Sequence, residues 1–110
     1  ERAAEELVRL LSYEPARVFG LYPRKGSLEV GSDADISLFD PDVEGVFSSG
    51  QVRSKAGYTP YEGIRYRGAA VSTFVRGTAV VEEGKLRGRR GHGIFVRGGK
   101  PGVYGEEAGE

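Results

Sequence analysis

The strongest constraint on the fold lies between residues 70 and 87, where short apolar segments are cut by two evenly placed turns. Val71-Ser72-Thr73-Phe74-Val75 leads into Arg76-Gly77, Thr78-Ala79-Val80-Val81-Glu82 leads into Glu83-Gly84, and Lys85-Leu86-Arg87 follows. Segments rich in β-branched residues and joined by such short glycine turns fold back on their neighbours, which predicts an antiparallel meander. The chain holds 18 glycines in 110 residues, well above the usual ~7%. They fall between apolar runs, as tight turns in a β-rich fold require.

Upstream of the meander, residues 25–41 read as the handover from a helical region to the sheet. Gly26 and Gly31 bracket a short expected strand, Leu28 to Val30. A second expected strand runs from Ala34 to Phe39 and stops at Asp40-Pro41, with Ala34, Ile36 and Leu38 on one face. Val43 to Ser48 is a further short strand candidate. Residues 49–60 read as irregular, and Tyr58-Thr59-Pro60-Tyr61-Glu62-Gly63 as a shaped loop with aromatic anchors.

The first residues are helical in pattern. Ala3, Ala4, Leu7, Val8, Leu10 and Leu11 recur at helical spacing, while Arg2 with Glu6 and Glu5 with Arg9 sit four apart on the polar face. This amphipathic helix needs a surface to lie on. Glu14 precedes Pro15 and should leave the α region. A second short helix is expected from Pro15 to Phe19, closed by Gly20, with Val18, Phe19 and Leu21 packing onto the sheet. No Met begins the chain and no N-capping residue precedes the helix, so we expect this sequence to start inside a larger protein. Beyond Gly88, Arg89-Arg90-Gly91-His92-Gly93 is a basic turn, Ile94-Phe95-Val96 a small apolar plug, and residues 97–110 a loose tail.

Composition limits the function classes. Lys plus Arg is 16 and Asp plus Glu is 16, so no net charge draws the domain to nucleic acid or an anionic membrane. Without cysteine there is no disulfide and no thiolate metal site, which fits a reducing, cytoplasmic setting. No apolar run approaches the ~20 residues that cross a bilayer.

No catalytic constellation emerges. His92 is the single histidine, reads as a surface turn residue and cannot form a multi-histidine metal site alone. Asp33, Asp35, Asp40 and Asp42 lack the order of a calcium loop and read as carboxylates at strand ends. Ser48, Ser49 and Ser54 have no nucleophile-elbow context. Arg87, Arg89, Arg90 and Arg97, with Phe95 and Lys100, read as a solvated basic turn or subunit contact rather than a nucleic-acid patch. Tyr58 and Tyr61 are expected to anchor their loop by burying their rings. We therefore assign no catalytic, cofactor-binding or metal-ligating residue to this chain.

One resemblance covers most of the chain up to about Val96. Leu11-Ser12-Tyr13-Glu14-Pro15-Ala16-Arg17-Val18-Phe19-Gly20-Leu21-Tyr22-Pro23-Arg24-Lys25-Gly26 resembles the last barrel-side helix and exit of the cyclic amidohydrolases. That family includes D-hydantoinase, dihydropyrimidinase, allantoinase and dihydroorotase. Gly31-Ser32-Asp33-Ala34-Asp35-Ile36-Ser37-Leu38-Phe39-Asp40-Pro41 is similar to the strand that follows there, residues 58–63 to a later loop, and residues 68–84 to the closing hairpin. The combination leans toward hydantoinase and dihydropyrimidinase. Arg53-Ser54-Lys55-Ala56-Gly57 departs from their usual histidine- or asparagine-rich approach to the Tyr-x-Pro loop, which leaves allantoinase-like and dihydroorotase-like assignments open.

The resemblance implies a mainly β chain with an N-terminal helix: the C-terminal part of the small β-sandwich beside a (β/α)8 barrel that this sequence lacks. Residues 1–24 would be terminal barrel-side helices, 25–96 the sandwich segment and 97–110 the tail. It implies a parent enzyme that opens a cyclic amide by hydrolysis at two divalent metals, usually zinc, and assembles as a homo-oligomer. This chain would serve as scaffold and subunit contact, inactive alone, partnered by the missing barrel. A stand-alone β-sandwich module, binding through Tyr58, Tyr61 and the Arg87–Arg97 edge, is the alternative.

Overall fold

The computed structural model describes residues 2–99, within an envelope of 46 × 35 × 26 Å. A helical run leads through a long loop into one four-stranded antiparallel sheet.

The helical run is continuous from Arg2 to Val18. It comprises α1 (Arg2–Val8), a π-helical turn (Arg9–Tyr13) and α2 (Glu14–Val18). Glu14 keeps α geometry, φ −64° and ψ −45°, so the expected break before Pro15 does not occur. A proline inside a helix lacks an N–H and pushes against the carbonyl four residues back. Here the preceding turn widens, and the Glu14 N–H donates to the Arg9 carbonyl. A π turn spreads the backbone where the ring needs room. Gly20, at φ +69°, ends the run after Phe19.

The loop from 21 to 35 holds no strand, contrary to the expectation for Leu28 to Val30. Those two side chains project into solvent, Leu28 at 75% and Val30 at 109% exposure, with no strand beside them. The loop's first half folds back on the helix. Leu21 and Tyr22 donate to the Ala16 carbonyl at 2.7 and 3.1 Å, and the Tyr22 ring meets Tyr13 edge-on at 5.2 Å. Gly26, at φ +80°, lies so close to the helix that an added Cβ would stand 2.6 Å from the Ala16 Cβ.

The strands are β1 (Ile36–Val46), β2 (Arg65–Val75), β3 (Thr78–Glu82) and β4 (Lys85–Leu86), adjacent in that order. The meander is as expected, and its turns have a strict backbone demand. Val75 pairs with Thr78 and Glu82 with Lys85, leaving two-residue loops in which both members have positive φ: Arg76 +48° and Gly77 +79°, Glu83 +48° and Gly84 +76°. Such turns match the right-handed strand twist.

The other strands run longer than expected. β1 passes through Asp40-Pro41, because as an outer strand it tolerates a residue with no N–H to share. The register slips between Asp40 and Glu44, and the Asp42 N–H turns back to Asp40 Oδ1 at 2.9 Å. β2 starts at Arg65, five residues before the apolar pattern, and pairs that polar opening with Val46, Gly45 and Glu44. Two rings cover glycines across this pair: Tyr66 lies over Gly45, and Phe39 over Gly68, where an added Cβ would fall 2.8 Å from the Phe39 Cζ.

Little is buried. Among the described residues only Ala16 and Ser72 fall below a tenth exposed. Neither helix touches a strand, and Val18 and Phe19 stay 49% and 67% exposed, so their expected packing on the sheet is absent. Leu7, Leu10, Leu11 and Phe19 stand open to solvent, as do Leu38 and Phe39 on the sheet.

Candidate functional site

The polar groups that converge most closely are Arg24, Lys25, Asp33 and Asp35, at the two ends of the helix-to-sheet loop. Lys25 Nζ lies 2.9 Å from Asp33 Oδ2 and 2.5 Å from Asp35 Oδ2, and Arg24 Nε donates to Asp33 Oδ2 at 2.9 Å. Backbone bonds hold the same two stretches together: Asp33 N–H donates to the Arg24 carbonyl at 2.9 Å, and Ser32 Oγ to the Pro23 carbonyl at 2.6 Å. The free oxygen of Asp35 then accepts from the Arg76 N–H at 2.9 Å, beside a 2.9 Å bond from Gly77 N–H to the Ala34 carbonyl.

These charges stabilise one another. Hydrogen bonds from Lys25 and Arg24 hold Asp33 below the usual carboxylate range. Burial is the largest influence on Asp35 and pushes it up, but the bonds from Lys25 and the Arg76 N–H outweigh it and leave it lowered. Bonds to Asp35 and Asp33 raise Lys25 above the ordinary amine value. A carboxylate pair saturated by two cations and a backbone amide is a clasp, with neither base nor nucleophile free for chemistry. The sequence singled out Asp33 and Asp35 but not Lys25; the signal was two opposite charges spaced across a glycine-bounded turn.

The other candidates disperse. His92 Nε2 lies 3.0 Å from the Val75 carbonyl, and the Arg76 guanidinium donates to the His92 carbonyl, so the imidazole folds over the β2–β3 turn instead of standing free. Asp42, on β1, pairs with Arg67 of β2 at 3.0 Å and takes no part in the clasp. Ser49 Oγ donates to Glu62 Oε2 at 3.0 Å and Ser48 caps a short 3-10 turn, Ser49–Gln51. Tyr61 leans on Phe47, at 6.0 Å between ring centres, yet both Tyr61 and Tyr58 remain more than half exposed. Their loop is therefore not anchored by buried rings. Phe95 is 87% exposed and Ile94 56%, so the expected plug does not dock. Lys100 lies outside the described residues.

No group of three His, Asp or Glu side chains that would hold a metal exists among the described residues. The donors present do not fit the two-metal centre that the resemblance implies for the parent enzyme. No described helix is long and apolar enough to cross a membrane.

Residues 2–80 match the amidohydrolase family. The chain belongs to that family. Among its amidohydrolase relatives are the L-hydantoinase of Paenarthrobacter aurescens, 45% identical over 92 residues, and the D-hydantoinase of Geobacillus stearothermophilus, 39% identical over 98 residues. These alignments cover 84% and 89% of this chain but only 20% and 21% of those proteins. The structure agrees. Dihydropyrimidinase from Brevibacillus agri superposes with a TM-score of 0.81 at 36% identity, over 87% of this chain and 22% of that one. The L-hydantoinase (dihydropyrimidinase) from Arthrobacter aurescens also gives 0.81, at 44% identity over 84% and 21%. The chain thus spans about a fifth of the length of the amidohydrolases it matches.

Proposed function

We propose that this chain is the C-terminal scaffold and subunit-contact segment of a cyclic-amide hydrolase of the dihydropyrimidinase or hydantoinase type. The observation that carries the reading is the open apolar helix face, with Leu11 71% and Phe19 67% exposed, in a chain a fifth the length of its hydantoinase relatives. Burying such side chains is worth about 1.5–3 kcal/mol each, and nothing among the described residues supplies the cover. In this reading residues 1–24 lie on a catalytic barrel, and residues 25–96 form one part of a β-sandwich whose remaining strands come from elsewhere in the longer protein. Residues 97–110 are its tail. The metals and the groups that open the cyclic amide belong to the barrel. The assembly is a cytoplasmic homo-oligomer, and the sheet contributes to its contacts.

The test is complementation. The 110-residue chain, supplied with zinc and either dihydrouracil or hydantoin, is expected to turn over neither. Mixed with the remaining part of a longer hydantoinase that lacks the matching segment, it is expected to restore ring opening. Turnover by the chain alone, or no restoration by the mixture, overturns the reading.

A further inference from the structure

The helical run and the sheet share no packing surface among the described residues, yet a continuous set of contacts joins them through the loop. Tyr22 against Tyr13 and Gly26 against Ala16 fasten residues 22–26 to the helix. Lys25 and Arg24 grip Asp33 and Asp35. Asp35 and Ala34 bond the Arg76 and Gly77 amides at the β2–β3 turn, and Arg76 reaches on to His92. One further bond, Gly99 N–H to the Gly20 carbonyl at 2.8 Å, returns the chain to the helix end.

We propose that the clasp of Lys25 with Asp33 and Asp35 is the joint that fixes the direction of the helical run relative to the sheet. Isolated exposed ion pairs contribute little, but networks with good geometry are the exception. Lys25 is only about a fifth exposed, at 21%, and it bridges two carboxylates rather than one. Removing it leaves Asp33 and Asp35 facing each other with one cation fewer. The joint rests on the proposed function only for what the two pieces are aligned against, namely barrel and sandwich; its geometry stands without it.

The absence of cysteine permits a clean measurement. Dyes placed at Glu5→Cys and Lys85→Cys, both exposed, report the helix-to-sheet distance by single-molecule energy transfer, at dilutions where copies do not associate. The otherwise unsubstituted chain should give one narrow distribution. Lys25→Met, which keeps the aliphatic stem, should lose it for a broad one while amide protection in β2 and β3 persists. Lys25→Arg should retain the narrow form. A narrow distribution in Lys25→Met overturns the proposal, as does a broad one in the unsubstituted chain or in Lys25→Arg. Broadening that comes with lost strand protection also overturns it, since the clasp would then hold the fold rather than the angle. None of these outcomes depends on whether complementation restores turnover.

Discussion

The backbone N–H of Glu14 donates to the carbonyl of Arg9, five residues back, and this single wide turn lets one helical run pass through Pro15. Replacing Pro15 by Ala removes the ring that demands the extra space. The expected outcome is a regular α turn with Glu14 bonded four residues back, and a gain in helix stability below the ~3 kcal/mol that proline costs in a helix interior. Hydrogen-bond scalar couplings across residues 9–15 would show the exchange of partners. Persistence of the Arg9–Glu14 bond in Pro15→Ala would mean that proline is not its cause.

Gly26 and Gly31 separate backbone strain from crowding. Both have positive φ, +80° and +97°, but an added Cβ meets Ala16 at position 26 and open space at position 31. Gly31→Ala is expected to lose about 1–2 kcal/mol from the left-handed backbone alone. Gly26→Ala should lose about 1–3 kcal/mol more through overpacking. Denaturant midpoints of the two variants, compared side by side, check the difference; equal losses would contradict the close approach.

Glu83 works in the opposite direction. It occupies a left-handed position at φ +48° ahead of Gly84, where Asn is tolerated far better. Glu83→Asn should therefore stabilise the chain by up to about 1 kcal/mol, seen as a rise in thermal midpoint with β3–β4 pairing unchanged.

The clasp sets a pH window. Asp33 and Asp35 are lowered on folding, so their contribution is complete above the ordinary value of 3.8 and disappears as pH falls through their lower folded values. Lys25 is raised, so its contribution is complete below 10.5 and disappears as pH rises through its higher folded value. Carbon-13 titration of the two carboxyls should give midpoints below 3.8, and Lys25→Met should move both upward. Unmoved midpoints would remove Lys25 as the cause.

The open helix face makes a further prediction. Leu11→Lys should reduce self-association of the chain in sedimentation experiments and weaken complementation of the longer hydantoinase by at least tenfold, about 1.4 kcal/mol. Val30→Ser, at a fully exposed turn position, should change neither.

The meander was readable because Arg76-Gly77 and Glu83-Gly84 leave the flanking strands one way to pair. Family membership was readable because the stretch from Leu11 to Pro41 is long and specific in residue type. Three features escaped for local reasons. Pro15 and Pro41 look like stops, yet a widened turn absorbs the first and a sheet edge the second. Arg65-Tyr66-Arg67 lacks the apolar alternation of a strand, since its side-chain contacts are a tyrosine ring over Gly45 and an ion pair from Arg67 to Asp42. Leu28-Glu29-Val30 has strand composition, but composition does not supply a neighbouring strand. Val18, Phe19 and Leu38 stay about half or more exposed, because among the described residues no helix packs on the sheet to cover them.

The slip in β1 has a consequence for anything that adds to the sheet. Among the described residues no strand pairs with its outer edge along its eleven residues, and a long open strand invites indiscriminate templating by other chains. Pro41 offers no donor at the middle of that edge, and the backbone there is displaced between Asp40 and Glu44. An incoming strand would have to engage two short runs, Ile36 to Asp40 and Glu44 to Val46, with a matching interruption of its own. The edge thereby works as a keyed slot, open to a strand shaped for it and discouraging to a straight one.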